Sequence, residues 1–293
     1  MHYKESAGRI IFIIFNYIFC VLVALVCILP LVHIFAISLS SDVAVNAGLV
    51  KLLPVDFTFA SYDYILNEPK FFTAMLVSVK RVILGLSISM FVTVLAAYPL
   101  SKVKRQFGAR QFYVWYFMVA MLINGGLIPN YLVISNLGLM DTIWALVLPS
   151  SVNVFNVILL QNYIKSLPEE IMESAFVDGA GHWMTLWKIV LPLCKPVLAT
   201  LVLFVAVAHW NSWFDGLIYM DHTANYPLQS YLQTIVVEID MDLIQSVDDT
   251  ILNITQKSSK SAQIFLAMLP ILCVYPFLQK YFTNGIVMGS VKG

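Results

Sequence analysis

Residues 165–196 read KSLPEEIMESAFVDGAGHWMTLWKIVLPLCKP, a stretch too polar to cross a bilayer and too regular for an unpatterned loop. Its first half is patterned as a short amphipathic helix. Ser166 followed by Glu169 has capping-box spacing, in which a hydroxyl and a carboxylate satisfy free N–H groups of the first turn; Pro168 suits that turn. Ile171, Ala175 and Phe176 recur at helical spacing, while Glu170, Glu173 and Asp178 supply a polar side. Gly179 is a helix stop and Gly181 lets the chain turn. A second helical piece, Trp183 to Leu191, is expected to end at Pro192. A stiff bent element of this kind either docks into a groove of a partner protein or lies on lipid, and the charge pattern leaves both open.

On both sides of this stretch the chain is strongly apolar. Of its 293 residues, 60% are hydrophobic and 12% charged, with a mean hydropathy of +0.82. Soluble domains carry about 25% charged residues, so the composition points to a membrane protein. Apolar runs at roughly 10–39, 72–100, 112–134, 142–163, 196–219 and 262–282 are each long enough for a hydrocarbon core of about 30 Å. The expected fold is an all-α membrane protein, a single domain over 1–293 with six transmembrane helices. Pro30, Gly85, Pro129, Pro149 and Pro270 lie within the runs, so kinks are expected, and Asn124 with Gly125 and Gly126 marks a break or close packing. The first run far exceeds a signal-peptide core of about 7–15 residues and reads as an anchor that stays.

Lys and Arg positions orient the chain, because cytoplasmic loops retain positive charge. With both termini inside, Lys4, Arg9, Lys102, Lys104, Arg105, Arg110, Lys165, Lys188, Lys195, Lys280 and Lys292 are cytoplasmic, and the basic 102–110 hairpin decides the matter. Lys51, Lys70, Lys257 and Lys260 fall outside. The external segment 220–261 carries Asp221, Glu238, Asp240, Asp242, Asp248 and Asp249. Its length predicts a functional surface, with Tyr226, Pro227, Leu228, Tyr231 and Leu232 offering apolar contacts to an external partner. Lys80 and Arg81 near the outer end of the second run either snorkel to the interface and anchor the helix, which is the expectation, or serve the substrate.

Glu173-Ser174-Ala175, three residues, Gly179, nine residues, then Ile189-Val190-Leu191-Pro192 resembles the EAA loop of binding-protein-dependent ATP-binding-cassette import permeases, with Ser174 where that family usually has Ala. The likeness extends over nearly the whole chain and is similar to the carbohydrate branch, in its second-subunit, maltose-permease-G-like form. It is carried by Ala96-Ala97-Tyr98-Pro99-Leu100-Ser101, Gly125-Gly126-Leu127-Ile128-Pro129, His209-Trp210-Asn211-Ser212-Trp213, Gln279-Lys280-Tyr281-Phe282 and the terminal Val291-Lys292-Gly293. Within that branch it resembles importers of uronate oligosaccharides such as alginate or pectin fragments.

The resemblance implies the import-permease superfamily fold in a bacterial cytoplasmic (inner) membrane, with a cytoplasmic coupling helix. It implies a heterodimer with a related second permease, two cytoplasmic ATPase subunits that bind ATP and Mg, an external solute-binding protein, and an oligosaccharide substrate. It assigns ATPase coupling to Glu173, Ser174, Ala175, Asp178, Gly179, Ile189, Leu191 and Pro192. Consistent with a separate motor, the chain lacks the G-x-x-x-x-G-K-[ST] phosphate loop and is not expected to be an enzyme or to hold a cofactor. An ion-coupled secondary carrier is the alternative from another class, for which repeated hydropathy halves and midplane acidic residues are expected; neither is evident.

In the fifth run, polar and aromatic residues interrupt an apolar helix. Trp210, Asn211 and Trp213 are candidates for the substrate pathway, the aromatics to stack on sugar rings, against a plainer account of helix packing and an interfacial aromatic belt. Asp215 reads as interfacial. Asn153 and Asn156 share a helical face and serve either that pathway or interhelical hydrogen bonding. His2, His33, His182, His209 and His222 form no H-E-x-x-H motif, and Cys20, Cys27, Cys194 and Cys273 show no metal or redox spacing. Asn253-Ile254-Thr255 is a formal glycosylation sequon with nothing beside it to support glycan addition, and zero net charge gives no reason to expect nucleic acid.

Overall fold

A computed structural model describes residues 7–103, 105–123, 125–245 and 257–290. Lys4, Lys104, Asn124, Asp248, Asp249, Asn253, Lys292 and the terminal Val291–Gly293 motif therefore lie outside the described residues. Among the described residues the protein is 78% helical and has no strand. In chain order the helices are α1 (Ala7–Ser38), α2 (Asp42–Asn46), α3 (Ala60–Leu66), α4 (Pro69–Ser101), α5 (Arg110–Leu122), α6 (Leu127–Asn136), α7 (Ile143–Val147) and α8 (Val154–Lys165). They continue as α9 (Glu169–Val177), α10 (His182–Thr185), α11 (Leu191–Leu193), α12 (Lys195–Asn211), α13 (Phe214–Tyr219), α14 (Leu228–Gln245) and α15 (Lys257–Ser290).

Among the described residues, three helices are long and apolar enough to cross a membrane unbroken, over Gly8–Ser38, Pro69–Ser101 and Lys257–Pro276; two bent pairs, α5 with α6 and α10–α11 with α12, bring the number to as many as five. The third expected run is interrupted where Gly126 takes φ +80°, a conformation that favours glycine. The fourth, 142–163, is not one helix. It folds as α7 and α8, five and twelve residues, because Pro149 and the serines after it end the first and the Asn153 side chain caps the second. The fifth runs over α12 and α13, with extended backbone at Ser212 between them.

The chain comprises two compact units, Met1–Phe71 with Thr234–Leu269, and Phe72–Gln233 with Pro270–Gly293. In the first, α1 exposes Ile, Phe, Val and Leu along most of its length, a surface that suits hydrocarbon rather than water. Its C-terminal end packs Ala36 against Ala44 and Val50, and the Ser40 hydroxyl donates to Ala36 C=O (2.7 Å) and accepts from the Val55 N–H (3.0 Å). Phe35 meets Phe265 at 4.6 Å between ring centroids, and Ser258 hydrogen-bonds Asp42.

The second unit is built around the C-terminal half of α4. Val94, Ala97, Tyr98 and Leu100 pack with Val157, Leu160 and Ile164 of α8, with Leu186 and Val190, and with Val197 and Leu201 of α12. A smaller cluster joins Ile134 and Leu146 to Tyr219 and Met220. Helix α14 occupies much of the expected external loop; in its first turns Leu228 and Leu232 are buried, and the Leu228 N–H donates to Ser78 Oγ (2.7 Å). Leu228 and Leu232 are thus core residues, while Tyr226 and Tyr231 of the same expected contact set are half-buried.

Candidate functional site

Helix α9 is the amphipathic element expected in 165–196, although it does not start as expected. Ser166 closes α8 instead, its hydroxyl donating to Tyr163 C=O (2.8 Å), and Pro168 is the N-cap of α9 without any side-chain cap. Serine satisfies backbone groups at either helix end, and a three-residue gap between helices left it to the first. The stop is as read. Gly179 adopts φ +83°, its N–H donates to Phe176 C=O (3.1 Å), and the Ala180 N–H reaches Ala175 C=O (2.9 Å), the paired bonds of a Schellman turn.

Beyond the turn, Gly181 has φ −75° and needs no glycine freedom, contrary to expectation; it is the extended N-cap of α10. Pro192 does not end the second helical piece either. Residues Leu186–Val190 widen into a π-helical turn, closed by Leu191 N–H to Leu186 C=O, so the helix carries Pro192 with no N–H of its own and runs to Leu193. It then breaks at Cys194, where α12 leaves at 82°.

Around this element Glu173, Ser174 and Asp178 are exposed, Ala175 is buried, Ile189 and Leu191 are half-buried, and Pro192 is exposed. Val177, Trp183, Met184 and Trp187 add large exposed apolar side chains. The inner side is fixed to α4 by a contact the sequence did not suggest. Lys102, just beyond α4, is buried with its Nζ 4.4 Å from the Tyr98 ring centroid, 5.7 Å from that of Phe176, and 3.4 Å from Met172 Sδ. Burial lowers the Lys102 pKa, and the Glu169 carboxylate opposes that shift. His182 completes the joint edge-on to both rings and 3.5 Å from the Tyr98 hydroxyl. A cavity of about 310 Å³ lies beside it, lined by Tyr98, Pro99, Lys102, Phe107, His182 and Trp183. The signal in the sequence was the spacing of Tyr98 and Lys102, one turn apart, where the cation reads only as a topology marker.

A second cavity, about 340 Å³, lies among α4, the start of α8, α12 and α13. Asn153 and Asn156 both line it, Asn153 Oδ1 accepting from the Asn156 N–H (3.3 Å) as the cap of α8 rather than bonding across helices. Trp210, Asn211 and Trp213 are not among its lining residues: Trp210 is buried, while Asn211 and Trp213 are exposed. Their places are taken by His209, Ser212 and Asp215 from the same segment, together with Arg81 and Ser89 of α4.

Arg81 does not snorkel. It is 1% exposed and makes a two-pronged ion pair with Asp215, Nη1 to Oδ1 at 3.1 Å and Nη2 to Oδ2, with a further bond from Nη1 to Ser212 C=O (3.2 Å). Asp215, expected at the interface, is held in this pair and also accepts from Ser212 Oγ (2.8 Å) and the Gly216 N–H (2.9 Å). The partners are 134 residues apart, a pairing that no local pattern announces. Elsewhere, Asp141 sits at φ +57° and accepts from the N–H groups of Asp221 (3.1 Å) and His222 (3.2 Å) and from the His222 ring (2.5 Å). Hydrogen bonding by Asn225 and then His222 pulls its carboxyl pKa down to about 2.

Residues 5–287 match the model of the family described as binding-protein-dependent transport system inner membrane component. Protein LplC of Bacillus subtilis (strain 168) is 41% identical over 100% of this chain and 98% of its own length. The polygalacturonan/rhamnogalacturonan transport system permease protein YtcP of the same organism is 38% identical over 94% of this chain and 96% of its own. Among solved structures, a chain from a bacterial ABC transporter involved in the import of the acidic polysaccharide alginate superposes with a TM-score of 0.85 at 32% identity, covering 96% of this chain and 99% of that one.

Proposed function

The chain belongs to the family of binding-protein-dependent transport system inner membrane components, and on that premise we propose that it imports uronate-containing oligosaccharides, with α9 as the lever through which ATP hydrolysis moves it. At the coarser level it is a permease subunit of an ABC sugar importer. The observation that carries the lever reading is the Lys102 joint. A short helix closed by a Schellman turn, exposed on one side and clamped to the end of a membrane-spanning helix on the other, transmits a push rather than absorbing it. Glu173, Ser174 and Asp178 with the exposed Val177, Trp183 and Trp187 form the face offered to an ATPase subunit; Ala175, Gly179, Ile189, Leu191 and Pro192 shape the element behind it.

The remaining components follow from the same reading: a related second permease, two ATPase subunits that hold ATP and Mg, and an external binding protein that delivers the sugar, with both termini of this chain cytoplasmic. An acidic cargo is supported by two relatives, one named for polygalacturonan and rhamnogalacturonan, the other for alginate. The test is sugar-stimulated ATP hydrolysis by the reconstituted complex, given trigalacturonate, an alginate trisaccharide or neutral arabinotriose. Stimulation by an acidic trisaccharide and not by arabinotriose is expected; the reverse order overturns the cargo assignment.

A further inference from the structure

Down α4, Arg81, Gly85, Ser89 and Thr93 recur every fourth residue and all are buried, so a polar stripe runs along one face of a membrane-spanning helix. Three groups on it have no hydrogen-bond partner among the described residues: Arg81 Nε–H, Ser89 Oγ and Thr93 Oγ1. Arg81 and Ser89 line the 340 Å³ cavity. Buried donors are ordinarily satisfied, and Arg81 and Ser89, which carry two of the unmet ones, both line this one cavity, an arrangement that suits a ligand bringing oxygen atoms. The volume is at the lower end of the about 300–1,000 Å³ typical of small-molecule sites.

We propose that this cavity is a binding station for the hydroxyl groups of a sugar ring in passage, with Arg81 Nε–H and Ser89 Oγ as its donors and Asn156 and His209 as its polar wall. The proposal rests on the importer reading above and names where on this chain the cargo is held. The ion pair decides which part of an acidic sugar fits. Asp215 cancels the charge of Arg81 and takes both of its terminal nitrogens, so the cavity offers directed dipoles without net attraction for a carboxylate. A hydroxyl accepts from Nε–H and donates onward, which a carboxylate beside Asp215 does only against like-charge repulsion. Gly85 keeps the wall in place, since a Cβ there would lie 2.3 Å from His209 Nε2.

The test uses the complete transporter in proteoliposomes and uptake of labelled trigalacturonate. Ser89→Ala removes one hydroxyl and no bulk; uptake at sub-saturating sugar is expected to fall about fivefold, the loss of one hydrogen bond, through a raised KM, with assembly by size-exclusion chromatography retained. Ala208→Phe fills the cavity and is expected to abolish uptake. Unchanged KM in both Ser89→Ala and Asn156→Leu, with wild-type uptake intact, means the cavity holds only water and overturns the proposal. Absence of ATP-dependent uptake in the wild type overturns the importer reading and this proposal with it.

Discussion

Single residues act here through backbone conformation and through buried charge. Gly179 stands at φ +83°, and a Cβ added there would meet nothing within 4 Å, so substitution is resisted by strain rather than by space within this chain. Gly179→Val is expected to cost about 1–3 kcal/mol locally and to uncouple sugar from ATP hydrolysis, whereas Gly179→Asn, which tolerates this conformation, keeps most of the stimulation. Stimulated ATPase rates of the two variants check it, and equal loss in both contradicts the conformational explanation. Asp215→Leu strands a buried guanidinium and is expected to destabilise the protein by about 3–5 kcal/mol; adding Arg81→Met restores most of that, read by thermal unfolding in detergent. Gly179 was legible because glycine at a helix end has one common meaning. Arg81 was not: a cation near the end of an apolar run reads as an anchor, and its partner lies 134 residues away.

Among the elements, α9 matters through the way it is held. Cation–π contacts of Lys102 with Tyr98 and Phe176 are worth about 0.5–2 kcal/mol when shielded from water. Lys102→Met keeps the bulk and removes the charge. It is expected to leave the complex assembled while ATP hydrolysis continues with severalfold less sugar moved per ATP, measured as the ratio of uptake to phosphate released; an unchanged ratio contradicts the clamp. Asp141 has the corresponding structural task between the α6–α7 connection and the segment after α13. Its pKa is held at about 2, below the ordinary 3.8, so its stabilisation is complete above about pH 4 and is lost as pH falls through about 2. The cost of Asp141→Asn, about 1 kcal/mol, is therefore expected to contain no contribution from Asp141 titration between pH 5 and 8, and to fade only in strong acid. Long apolar runs located α1 and α4, and helical periodicity located α9. Pattern missed element ends where one residue serves two roles, as Ser166 does, and where a proline is carried just past a widened turn, as at Pro192. Apolarity alone merged α7 and α8 into one run, because hydropathy averages over the turn at Pro149 to Asn153.

For the molecule as a whole, sequence composition, an all-helical fold and likeness over nearly the full chain to sugar-transport permeases converge on one kind of machine. The chain presents a short helix closed by a Schellman turn and a polar cavity among its helices, and the proposed import cycle needs the first to bias the second. The polar stripe on α4 escaped notice in the sequence since Ser89 and Thr93 are diluted by apolar neighbours and Arg81 reads with Lys80 as an interfacial anchor, and only the common burial of the three shows that they form one face. In a machine of this kind ATP drives the movement. Uptake of labelled trigalacturonate is the decisive readout, in proteoliposomes holding this chain, the second permease, the ATPase subunits and the binding protein. Uptake is predicted to require enclosed ATP and the binding protein and to be indifferent to a protonophore; uptake that proceeds without ATP and collapses with the protonophore contradicts an ATP-driven importer.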